Sequence, residues 1–339
     1  MKAWTIGGQS GIGGLQLRDA PRPEPGPGKV VVRTIAAGLN YRDLMLVRGA
    51  YGAPQPPVRV PLSDGVGVVE SVGEGVAGIE PGARVIAPNF TTWQSGAFGM
   101  AAFAQDLGVT ADGWLAEHVR LPADAVITVP DSVSDETAAT LAVAGATVWH
   151  GLVAFGQVRP GALVLTQGTG GVAIFTLQLA KALGAQVAIT SSSDDKLARA
   201  RALGADHAIN YRERPDWAAA MLEATGGRGA DVVIDTLGFA ALGETVAATA
   251  VEGRIATLGA LGGSPKDALG AGQGAIIAKN ISIKGIASGS RAMLADALAA
   301  VATHGIESVI DREYAFADAP AAYTRLDRGG HFGKLLIRM

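Results

Sequence analysis

Residues 162–196, ALVLTQGTGGVAIFTLQLAKALGAQVAITSSSDDK, constrain this chain more than any other stretch, because they read as strand, glycine turn, helix and strand in succession. Ala162 to Thr166 is an apolar run, Gly168 to Gly171 form a tight turn, and Val172 to Leu183 carries Ile174, Leu177, Leu179 and Ala182 at helical spacing. The turn fits G-x-G-x-x-G, with Ala173 in the third glycine's place. The first glycine permits a turn that a Cβ would make costly. The second lets backbone N–H groups and the helix N-terminus approach a pyrophosphate, and the third only has to allow close helix–strand packing. In a chain with 47 glycines the pattern alone is weak; the strand before it and the helix after it make Gly168, Thr169, Gly170, Gly171 and Val172 a dinucleotide cradle.

The end of the second strand, Gln186 to Thr190, bears on which nucleotide is held. An NAD site places an Asp or Glu there for the ribose hydroxyls. This chain has Ser191 and Ser192, which can donate to a 2′-phosphate, with Lys196 in reach as a point charge. NADPH is therefore expected ahead of NADH. The same serines could instead cap the next helix, whose first turn holds Asp194 and Asp195. Tyr211, after the strand His207 to Asn210, could lie against the adenine or be an ordinary loop tyrosine.

At 339 residues the chain suits two domains, each with its own core. A net charge of -3 leaves no basic stripe for nucleic acid. No apolar run of membrane-spanning length and no charged leader before an apolar core are present, so no membrane partner and a cytoplasmic location are expected. Zero cysteines remove disulfides and thiolate chemistry together.

The first 130 residues are rich in short strands and turns, including 28–36, 65–73 and 76–86, and suggest an antiparallel, barrel-like β domain. From residue 138 onward, strand-like segments at 162–166, 186–190, 207–210, 231–235, 253–258 and 281–285 alternate with helical ones at 172–183, 194–203, 216–225 and 239–248. That alternation is the mark of a doubly wound parallel sheet, giving an α/β chain. A helix at 292–303 and strands at 308–316 and 334–338 are expected to rejoin the first domain. Residues 89–113 read as a loop long enough to be a lid, a lobe or an oligomer contact.

Several segments, in order, resemble the medium-chain dehydrogenase/reductase superfamily: AAGLNYRDLMLVRGAY at 36–51, SDGVGVVESVGEGV at 63–76, PGARV at 81–85, DGWLAEHVRLPADAVITVP at 112–130, the glycine turn, and GHFGKLLIR at 330–338. The resemblance implies a GroES-like, mainly antiparallel β catalytic domain over 1–146 and 289–339 and a Rossmann cofactor domain over 147–288. Zinc members carry Cys, His and Glu where this chain has Asn40, Ser63 and Asp64, and a further Cys or carboxylate near Ala144. Residues 89–113, where alcohol dehydrogenases hold a four-cysteine structural zinc, have no cysteine, and the five histidines form no spaced cluster. The departure points to the zinc-independent, quinone oxidoreductase-like branch, with no metal expected.

On that resemblance Asn40, Tyr51 and Ser63 are the candidate donors to a substrate oxygen that gains charge. Each has a plainer reading: Asn40 as a turn-fixing side chain, Tyr51 as an apolar wall, and neighbouring Asp64 as a structural partner for Arg42 or backbone donors. Cofactor contacts extend by resemblance to Thr147, Gly238, Gly259, Leu261 and Ser288. Arg328 and Lys334 are further candidates for a phosphate, although lone cations near a terminus are usually solvated. The implied activity is metal-independent, NADPH-dependent hydride transfer to an activated C=C, a quinone or a carbonyl, in a homodimer acting on a small molecule. The alternatives are a metal-free alcohol dehydrogenase and an NADPH-binding sensor or scaffold.

Overall fold

The computed structural model describes residues 1–259, 261 and 273–339. It divides into two compact units, Met1–Ala146 with Gly289–Met339, and Thr147–Ser288.

The second unit is built on six parallel strands. Their order across the sheet is His207–Asn210, Gln186–Ser191, Leu163–Gln167, Ala230–Asp235, Thr249–Thr257 and Ser282–Gly285. Chain order reverses direction between Leu163–Gln167 and Ala230–Asp235, the topological switch point at which open α/β sheets bind ligands beyond their strand carboxyl ends. Strands buried on both faces need apolar residues at every position rather than alternation, and all five residues of Leu163–Gln167 are buried. Helices Gly171–Ala182, Asp194–Ala202 and Trp217–Ala224 lie between successive strands, and Trp217, Met221, Leu242 and Val246 close one core around Leu163, Leu165, Val233 and Ile255.

The first unit holds a mainly antiparallel seven-stranded sheet around Lys29–Gly38, which pairs with Asp64–Val72 and His118–Pro122. The chain's last strand, Lys334–Arg338, pairs antiparallel with Lys29–Gly38 and parallel with Ile310–Ala315, so residues from both ends of the sequence share one sheet. A large core, including Trp4, Val32, Leu44, Leu62, Trp114 and Tyr323, lies in this unit. Segment 89–113 is a compact lobe rather than an open loop: Phe90, Trp93 and Ala102 are buried together, and Phe90 meets Phe103 edge-on at 5.1 Å. Among the described residues no helix is long and apolar enough to cross a membrane.

Candidate active site

In the second unit, every suggested nucleotide contact other than Thr147 falls at or beyond the carboxyl end of a parallel strand, or in the first turn of the helix that follows it. Gly168 follows Leu163–Gln167 with φ +79°, and a Cβ built there would meet nothing within 4 Å, so the space above the turn is open. Helix Gly171–Ala182 starts from Gly170 with no side chain capping it. Its first N–H groups therefore have neither an intrahelical nor a capping acceptor, which is the arrangement that suits an anion. Ala173, in the third glycine's place, is 2 % exposed.

At the second strand's end Ser191 is buried and Ser192 half-buried. Neither caps the next helix; Ser193 does, its Oγ accepting from the Lys196 N–H at 3.4 Å. The two candidate serines are thus not spent on capping. Asp194 accepts from Asn210 Nδ2 at 3.0 Å, while the Tyr211 N–H donates to the Ser191 carbonyl at 3.0 Å, leaving the Tyr211 ring exposed. Buried Asp235 receives the N–H groups of Leu237 and Gly238 at 3.0 Å each, together with the Thr257 hydroxyl, and so shapes the turn holding Gly238. Gly259 follows the fifth strand, and the Leu261 N–H donates to the Thr236 carbonyl at 3.2 Å. Thr147 and Ser288 are buried at the two ends of the unit's sequence. His150 Nδ1 lies 2.6 Å from the Ser288 carbonyl, and burial, with Lys284 near its other nitrogen, holds its pKa below the usual histidine range.

In the first unit, Asn40 precedes the helix Tyr41–Val47, and Asp43 in that helix's first turn reaches back to the Asn40 N–H at 2.8 Å. The helix is thereby closed by Asp43, and the Asn40 carboxamide is turned elsewhere. Its Nδ2 donates to Asp64 Oδ2 at 2.8 Å and its Oδ1 accepts from Lys334 Nζ at 2.7 Å. Lys334 also reaches Asp64 Oδ2 at 2.9 Å and the Leu39 carbonyl at 2.8 Å, and Asp64 Oδ1 takes the Val143 N–H at 2.6 Å. Ser63, fully enclosed, donates its hydroxyl to Asp43 Oδ1 at 3.2 Å. Tyr51 is joined to the group through Arg42, whose guanidinium sits 4.9 Å from the ring centre and pairs with Asp106. Burial pushes the Tyr51 pKa up, more than Arg42 lowers it, so the phenol keeps its proton.

Two readings from sequence are corrected here. Lys334 is neither solvated nor available to a phosphate: it is 6 % exposed and its three hydrogens are all engaged. Asp64 does take a backbone donor, the Val143 N–H, but its charged partner is Lys334, and Arg42 pairs with Asp106 instead. Sequence reads Lys334 only as a phosphate candidate and Arg42 only as a partner for Asp64, and gives Asp43 no place in the site. The capping spacing from Asn40 to Asp43 was the only local signal.

Asp43 is 1 % exposed, and burial, aided by the Asp64 charge, pushes its pKa up to about 6 against the opposing pull of Arg42, the Asn40 N–H and Lys334. A carboxyl whose folded value lies above its unfolded one binds its proton more tightly in the folded state, so it adds stability as pH falls through 6 and subtracts it above. Relative to Asp43→Asn, the natural protein should gain about 1–2 kcal/mol of unfolding free energy between pH 7.5 and pH 5. Urea denaturation of both proteins at the two pH values checks this; equal changes would mean Asp43 does not titrate there.

Comparison with known proteins fits this geometry. A zinc-binding dehydrogenase model matches residues 171–303, and an alcohol dehydrogenase GroES-like domain model matches residues 26–131. A zinc-type alcohol dehydrogenase-like protein of Schizosaccharomyces pombe is 41 % identical over 321 residues, 92 % of this chain and 91 % of the relative. An acryloyl-coenzyme A reductase of Sulfurisphaera tokodaii is 30 % identical, with both chains covered completely. The solved structure of a quinone oxidoreductase from Pseudomonas syringae pv. Tomato DC3000 superposes with a TM-score of 0.82 at 30 % identity, covering 100 % of this chain and 99 % of that one. The chain belongs to the medium-chain dehydrogenase/reductase superfamily and is an oxidoreductase of that family with a nucleotide-binding fold.

Proposed function

We propose that the protein is an NADPH-dependent, metal-independent reductase of an activated C=C, with quinones and simple carbonyls as related acceptors. The observation that supports this best is the Asn40–Asp64–Lys334 cluster. Where zinc members of the family bring Cys, His and Glu, this chain has a carboxamide, a hydroxyl and a carboxylate. The hydroxyl is given to Asp43, and the carboxylate is taken by Lys334 and the Val143 N–H. Zinc wants about three or four nitrogen, sulfur or carboxylate ligands. Among the described residues no group of three His, Asp or Glu side chains is placed to hold a metal ion. The donor set does not fit zinc.

The nucleotide fits better. When bound, its nicotinamide supplies a hydride. This chain's residues have the remaining work. The open turn at Gly168 and the uncapped helix start at Gly170 and Gly171 receive the pyrophosphate, and Ser191, Ser192 and Lys196 receive the 2′-phosphate. Asn40 and Tyr51 donate to the acceptor oxygen as negative charge grows on it, while Ser63, expected from sequence as a third donor, is enclosed with its hydroxyl on Asp43 and with Asp43 fixes the turn that carries Asn40. Water delivers the proton. An acceptor conjugated to a carbonyl is already electron-poor, so two hydrogen-bond donors serve it better than they serve an unactivated ketone. The acryloyl-coenzyme A reductase relative bears the name of such an acceptor. Alcohol oxidation would need a general base, and both ring nitrogens of His150 are engaged, Nδ1 with the Ser288 carbonyl and Nε2 with Lys284 Nζ at 3.3 Å.

Turnover of a panel of enones, enoyl thioesters, quinones, aldehydes and secondary alcohols with NADPH and NADH tests this reading. Enone or quinone reduction favouring NADPH is expected; no turnover of any acceptor would leave only a binding role. Lys196→Ala should raise KM for NADPH about tenfold, the loss of one charge-assisted contact, and leave KM for NADH within about twofold. Equal losses with both nucleotides would remove the 2′-phosphate assignment.

A further inference from the structure

Lys334 is spent entirely within the protein. An ammonium has three hydrogens and no acceptor, and the Leu39 carbonyl, Asn40 Oδ1 and Asp64 Oδ2 take all three. Its effect on chemistry therefore passes through a neighbour, and the neighbour with something left to give is Asn40. The two ends of a carboxamide are alike in shape, and only their partners distinguish them. Here the partners are opposite in kind: Lys334 can only donate and Asp64 can only accept. Turning the amide over would set N–H against ammonium and carbonyl against carboxylate, replacing two charge-assisted hydrogen bonds with two repulsions. The second hydrogen on Asn40 Nδ2 goes to no residue among those described, and Asn40 is only partly buried.

We propose that Lys334 is a positioning residue, whose buried ammonium locks the Asn40 carboxamide so that an N–H and not the carbonyl is offered to substrate. The inference rests on the reading of Asn40 as a donor in the proposed reduction. It narrows the ligand to one that presents a bare acceptor oxygen, such as a conjugated carbonyl, a thioester carbonyl or a quinone. A hydroxyl or amine that must give its own hydrogen finds no acceptor on this side chain. Asp64 balances the ammonium, so the lock adds no net charge to the site.

The test is a double-mutant cycle on the single-turnover rate of NADPH oxidation by an enone. Lys334→Met should slow the step about thirtyfold, with KM changed less than about threefold and the NADPH Kd unchanged. In an Asn40→Ala background, adding Lys334→Met should slow it no further, because the ammonium acts only through the amide. Losses that multiply, or a Lys334→Met rate equal to that of the natural protein, would overturn the proposal. Should Lys334→Met fail to fold with Asp64 left buried and unpaired, Asp64→Asn/Lys334→Met removes both charges, keeps an acceptor for the Val143 N–H and completes the same cycle. A full rate in Asn40→Ala alone would remove the donor reading itself, and needs no Lys334 variant to detect.

Discussion

Gly168→Val is expected to weaken nucleotide binding by on the order of a hundredfold while the protein stays folded. At φ +79° a β-branched residue is strained, at a cost of about 1–3 kcal/mol, which a two-unit chain with large cores tolerates. The larger effect lies outside the fold. The Cβ and its methyls would project into the open space above the turn, where the pyrophosphate must approach the uncapped start of Gly171–Ala182. Losing two charge-assisted hydrogen bonds at about 1.5 kcal/mol each corresponds to about a hundredfold in Kd. Gly161→Val makes the control: its φ is also +79° and its surroundings also open, but it precedes the first strand rather than following it. Calorimetric titration should show normal binding there. Equal losses in the two variants would assign the effect to strain and not to the cradle.

Asn40→Ala is expected to lower kcat about a hundredfold, the usual loss for one donor to a developing oxyanion, with KM for the nucleotide unchanged. Because Asp43 reaches the backbone N–H of residue 40, which alanine keeps, the substitution leaves that half of the helix closure intact. Lys334 and Asp64 remain paired with each other at 2.9 Å, so no buried charge is orphaned. Stability should therefore fall by only about 1 kcal/mol, for the lost side-chain hydrogen bonds. Steady-state kinetics beside a denaturation curve separates the two effects; a kcat that falls only in step with stability would make Asn40 a structural residue.

The parallel sheet was legible because strands covered on both faces are apolar over successive residues, as in LVL of Leu163–Gln167 and VVI of Ala230–Asp235, and because glycine turns punctuate them. Short strands of the first unit were not. Gln16–Asp19 is exposed along its whole length, and Lys2–Thr5 and His118–Pro122 are too brief to establish a period. The glycine cradle could be read locally, since all its residues lie within one strand–turn–helix unit. The Asn40 cluster could not, because Lys334 stands 294 residues from Asn40 and only the pairing of the last strand with Lys29–Gly38 brings them together. Sequence alone describes such a lysine as a solvated surface cation. The lobe at 89–113 was one of three readings that sequence left open, for a related reason: Phe90, Trp93, Phe98 and Phe103 have no regular spacing, yet converge on one small apolar cluster.

The proposed activity is hydride transfer from a pyridine nucleotide without a metal ion. The most direct measurement is the reduction of an enone by NADPH dideuterated at C4, using protein exhaustively stripped of metal and verified by elemental analysis. Deuterium on the product carbon, at a rate that the stripping leaves unchanged, is the predicted result. Activity that disappears on stripping and returns with zinc, or a product without deuterium, would contradict it.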